Sequence, residues 1–122
     1  MGRESHKYTV AVDMDGVLHS YASPWVSAET IPDPPVPGAI EWLNEIHKKF
    51  DIVIFTTRGA TSPGQEAVLT WLRDNGYTGP LPKVTAVKPA ALLYIDDRAY
   101  RFDGTNFPTA EEIHRLRPWN KP

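Results

Sequence analysis

The fold class that the sequence predicts is α/β: a single Rossmann-like, three-layered domain around a parallel sheet, with minimal or no cap. Three observations predict it. Short β-branched or aromatic runs alternate along the chain with segments of helical periodicity. Those runs are continuously apolar, which suits strands buried on both faces of a parallel sheet. Two of them end directly in carboxylates, Asp13-Met14-Asp15 and Asp96-Asp97. A chain of 122 residues has room for one core and little for a second lobe, so residues 1–122 are expected to form one domain.

The elements follow in order. Tyr8–Val12 is the first strand by composition. Residues 38–50 carry Ala39, Leu43, Ile46 and Phe50 at spacings that make one apolar helical stripe. Asp51–Phe55 is the strongest strand signal. A second helix opens near Ser62, with Ser62 as the cap, Pro63 at the first helical position and Gln65 closing a capping box. Val68, Trp71 and Leu72 continue it, and Gly76 after Asn75 is a stop signal. Val84–Ala86 is a short strand candidate and Leu92–Ile95 a better one. Thr109-Ala110-Glu111-Glu112 reads as a capping box for a last helix running to about Leu116. Residues 19–37, rich in proline, are too long for a tight turn and read as a functional loop.

Composition excludes some chemistry. There is no cysteine, so thiolate catalysis and disulfides are ruled out, and a reducing, cytoplasmic setting is expected. The net charge of −2 offers no general attraction to nucleic acid or to an anionic membrane. No apolar run approaches the ~20 residues that span a bilayer, and Met1–His6 lacks the core of a signal peptide.

Asp13 and Asp15, two residues apart at a strand end, would share a face if extended. Like charges so close need a cation or a partner, and Mg²⁺ with its preference for oxygen ligands suits them. The bland reading is a solvated Asp-Gly turn. Asp96 and Asp97 repeat the pattern at another strand end, the edge where open α/β sheets bind ligands; the alternative is Asp97 paired with Arg98 or Arg101 on a surface loop. Thr56-Thr57-Arg58-Gly59 offers hydroxyls and amides to phosphate oxygens, with Arg58 or Gly59 in support, unless Thr56 merely ends a strand. Lys88 precedes Pro89, which biases it away from helix and toward the same edge, although a lone lysine is usually a solvated charge.

In chain order, the set is Asp13-Met14-Asp15-Gly16-Val17-Leu18, a strand ending in Thr56, Lys88, and a strand ending in Asp96-Asp97. This resembles the haloacid dehalogenase superfamily of phosphohydrolases, with all four motif positions filled over roughly residues 8–103. The likeness is to its small, cap-less members from phages and bacteria, in segments such as residues 31–38 and 94–99. The resemblance implies that Asp13 attacks phosphorus to form an aspartyl-phosphate, while Asp15 protonates the leaving oxygen and later activates water. It implies Mg²⁺ held by Asp13, the Asp15 carbonyl and Asp96, with Asp97 ligating directly or through water, and phosphate held by Thr56, Thr57 and Lys88. Asp15 points to the phosphatase branch. Residues 19–37 take the place of the family's flap, where His19, Tyr21 and Trp25 are candidates to contact the leaving group or to anchor the loop; His19 is not expected to bind metal. The expected activity is Mg²⁺-dependent hydrolysis of phosphomonoesters. An uncapped site would also admit a polynucleotide 3′ end, and a catalytically idle binding module is the alternative of another class. No motif marks the tail after Phe102, where Trp119 is expected to pack across the domain or in a dimer.

Overall fold

Thr9–Val12 (β1), Asp51–Phe55 (β2), Lys83–Thr85 (β3) and Leu93–Ile95 (β4) form one sheet in a computed structural model that describes residues 7–116 and Trp119. All pairs are parallel, in the order β3-β2-β1-β4. The helices are Ala39–Ile46 (α1), Ser62–Asp74 (α2) and Ala110–Arg115 (α3). This is a small α/β domain, Rossmann-like, with helices flanking a wholly parallel sheet. The Met1–His6 segment lies outside the described residues.

Both crossovers, β1-α1-β2 and β2-α2-β3, step in the same direction across the sheet. Right-handed connections therefore place α1 and α2 on one face. Register agrees: Val10 pairs with Ile52 and Val12 with Ile54, and these four side chains are buried with Leu43 of α1 and Val68, Trp71 and Leu72 of α2. On the opposite face Ala11 pairs with Tyr94 and Val53 with Lys83. No helix joins β3 to β4. Irregular chain lies there instead, and Tyr94 donates its hydroxyl to the Pro89 carbonyl at 2.5 Å.

The start of α2 differs in detail from the expectation. Thr61, not Ser62, is the cap, accepting from the Gly64 amide at 3.2 Å. Gln65 closes no capping box; its amide reaches back to the Gly59 carbonyl at 2.7 Å. The Thr109–Glu112 capping box is present in both directions. β4 is less buried than a continuously apolar run suggests, because it is the sheet's edge and Leu93 and Tyr94 are exposed. Among the described residues, no helix is long and apolar enough to cross a membrane.

Candidate active site

The sheet order makes β1 and β4 neighbours, so the carboxylates that follow them converge. Asp13 donates its amide to the Ile95 carbonyl at 2.9 Å, which extends the β1–β4 pairing into the loops. One oxygen each of Asp13, Asp96 and Asp97 lies within 4.8 Å of the others. Burial and the neighbouring charges of Asp96, Asp97 and Asp15 push the Asp13 carboxyl up to about 7, against the pull of its hydrogen bond from the Met14 amide. Asp97 Oδ1 is buried without a hydrogen-bond partner. A buried, unsatisfied carboxylate oxygen is costly unless a cation completes its environment. Gly16 makes room for this group. Its φ is +88°, and any Cβ there would collide with Asp97 Oδ2.

Asp15 sits on the other side of the same turn and is surrounded by donors. Arg58 Nε donates to both carboxylate oxygens, at 2.9 and 3.1 Å, and His19 Nδ1 lies 2.8 Å from Oδ1. The Asp33 amide donates to His19 Nε2 at 3.0 Å, so Nδ1 carries the ring proton and donates to Asp15. Burial alone would raise the Asp15 carboxyl, but the hydrogen bonds from His19 and Arg58 and the charge of Arg58 outweigh it. The carboxyl is held below its ordinary range.

Arg58 is 1% exposed, so it is no substrate contact. Its Nη1 also donates to the carbonyls of Ser27, Ala28 and Thr30, at 2.9 to 3.0 Å, and its guanidinium lies 4.5 Å from the centre of the Trp25 ring. It therefore pins Asp15 and the 19–37 loop together. His19 is likewise fully buried and does the same from the loop's base. The loop is fastened further along. Asp33 accepts from the Ser23 amide and hydroxyl, at 2.8 and 2.7 Å, and those bonds hold its carboxyl below the usual range. The Trp71 indole donates to the Asp33 carbonyl at 3.2 Å.

Asp13, Asp15 and Asp96 open into a cavity of about 400 Å³, a volume within the range of small-molecule sites. Thr56 and Thr57 line it from the end of β2, and Tyr21 and Trp25 from the loop. Thr56 Oγ accepts from the Arg58 amide at 3.2 Å, which fixes its rotamer. Gly59 offers nothing to a ligand, being pressed against the Thr85 backbone. Lys88 is not in this cavity. Its ammonium rests 4.8 Å over the Tyr94 ring, in a neighbouring hollow that also borders Asp13 and Asp96. Pro89 directs it as expected, but the attraction of a cation to the aromatic face carries it sideways.

Three contributors were not foreseen. Arg98 and Phe55 line the cavity, and Asp33 secures the loop. The sequence offers Arg98 only as an ion partner for Asp97; in the fold its amide caps Asp96 Oδ1 at 2.7 Å and the residue lines the cavity. Trp119 donates its indole N–H to the Gly16 carbonyl at 2.5 Å, so within the chain it reaches the turn that carries Asp13 and Asp15. No family model, curated protein or solved structure matches this chain.

Proposed function

We propose that this protein is a divalent-cation-dependent phosphomonoesterase in which Asp13 is the nucleophile. The observation that carries the reading is the convergence of the Asp13, Asp96 and Asp97 oxygens within 4.8 Å at two adjacent strand ends, with Asp97 Oδ1 buried and unpartnered. That donor set is all carboxylate oxygen, the chemistry of a Mg²⁺ site. Asp13, Asp96 and Asp97 would hold the ion, which supplies neutralisation of the charge gathered around the phosphate.

The chain's own groups divide the remaining work. A phosphomonoester enters the cavity with phosphorus toward Asp13, and Thr56, Thr57 and Arg98 take the phosphoryl oxygens, the position that Lys88 does not fill. An Asp13 oxygen forms a bond to phosphorus as the bond to the leaving oxygen breaks. Asp15 then removes a proton from the water that hydrolyses the aspartyl-phosphate. The carboxylate form held by His19 and Arg58 is the form which that second step needs. Protonation of the leaving oxygen in the first step uses Asp15 in its acid form, which the second step restores as Asp15 takes the proton of the water.

The test is turnover of an aryl phosphate with and without Mg²⁺. The wild-type protein is expected to be active only with the ion. Asp13→Asn is expected to lose nearly all activity, and a phosphate mimic such as trifluoroberyllate should settle on Asp13. Undiminished turnover by Asp13→Asn would end the reading.

A further inference from the structure

The cavity is divided by chemistry. Its strand-end side carries carboxylates and hydroxyls beside Phe55, whereas Tyr21 and Trp25 line it from the loop. Trp25 is the most informative of these. One face of its indole is covered by the Arg58 guanidinium at 4.5 Å, yet the residue remains 48% exposed and borders the cavity. Arg58 cannot swing aside, because Asp15 and three loop carbonyls hold it. The indole is thus backed by a fixed cation, with about half of the residue still exposed beside the cavity. Tyr21, on the same wall, has φ of +56°, a left-handed conformation rare for a non-glycine residue and of the kind that clusters at ligand sites.

An open aromatic face would ordinarily be turned inward to shed water. Here the loop is tied down by buried hydrogen bonds at Asp33, His19 and Arg58, and the ring is nevertheless left outward, beside Asp13. A rigid platform loses little conformational freedom when a second ring stacks on it, so stacking there adds affinity at low entropic cost. We propose that the substrates of this site are phosphomonoesters whose leaving group carries a planar aromatic ring, nucleoside monophosphates being the natural class, with Trp25 as the stacking platform. This deepens the phosphatase reading and rests on it.

Adenosine 5′-monophosphate and ribose 5-phosphate differ by the base alone and separate the inference from the reading beneath it. Wild-type kcat/KM should favour the nucleotide by roughly tenfold or more, the scale of base–aromatic stacking. Trp25→Ala should bring the ratio close to one, and Trp25→Phe should keep most of it. Calorimetric binding of the same two compounds to Asp13→Asn with Mg²⁺ should show the same preference, removed in Asp13→Asn/Trp25→Ala. Equal turnover of the two compounds by wild type, or equal losses on both in Trp25→Ala, would overturn the inference while leaving the phosphatase intact. Failure to hydrolyse these two compounds and the aryl phosphate alike would overturn the phosphatase reading. The binding preference would then decide the stacking claim: its presence would support the platform, its absence would end it. Melting temperatures of the Trp25 variants identify losses that come from unfolding.

Discussion

The two sides of the Asp13–Asp15 turn are built on opposite principles. Toward β2, Asp15 is met by Arg58 and His19, and Arg58 Nε and His19 Nδ1 both donate to its carboxylate. Toward β4, Asp13 is met by Asp96 and Asp97, with an orphaned oxygen among them. Carboxylates two residues apart are consequently driven in contrary directions, Asp15 down and Asp13 up to about 7. The first side is complete as the chain folds. The second side gathers charge that a proton on Asp13 or an added cation would relieve.

The strongest blow to this contrast is expected from Arg58→Met. It removes a buried cation, leaves Asp15 uncompensated and strips three loop carbonyls of their donor, so unfolding stability should fall by about 3–5 kcal/mol. Urea denaturation reads it directly. A loss below about 1 kcal/mol would mean that the β2 side is not the anchored one.

A smaller effect is expected on the β4 side, with the sign reversed by ligand. Saturation with Mg²⁺ at about a hundred times its dissociation constant should stabilise the protein by roughly 2.7 kcal/mol, seen as a higher melting temperature. Asp97→Asn should remove most of that shift. A full shift in the variant would place the ion elsewhere.

Acidity gives the most selective effect. In the fold the Asp13 carboxyl stands near 7, against 3.8 for the ordinary group, so the folded chain binds this proton more tightly than the unfolded chain does. Its contribution to stability is present in full below the unfolded value and is lost as pH rises through the folded one. Asp15, shifted the other way, loses its contribution only as pH falls through the acid range below 3.8. With a chelator present, the wild-type urea midpoint should therefore decline between about pH 5 and about pH 7.5, and Asp13→Asn should flatten the decline. Equal slopes for the two proteins would show that Asp13 does not carry the frustrated charge.

These contrasts were unequally legible in the sequence. Strand composition gave all four strands to within a residue or so, and the acidic strand ends gave the convergence of Asp13 with Asp96, because neighbouring parallel strands end at the same edge. The interior role of Arg58 was not legible. A charged residue after a strand looks solvent-facing until the 19–37 loop folds over it, and the carbonyls it binds have no side-chain signature. His19 was hidden for the same reason, since its partner Asp33 is fourteen residues away and donates through the backbone. Lys88 was displaced by a single ring, Tyr94, whose position depends on the edge strand rather than on local pattern.

The edge position of β4 has a consequence for time as well as for space. This strand is three residues long and pairs with β1 alone, so local opening should reach it long before it reaches β1 or β2. Each such opening carries Asp96 and Asp97 away from Asp13 and leaves the Asp15 cluster in place. An ion bridging Asp13 to the β4 carboxylates would clasp the strand, and its residence would be limited by how often the edge unzips. Amide exchange at Leu92, whose N–H donates to the Thr9 carbonyl of β1, would then keep the clock of metal release.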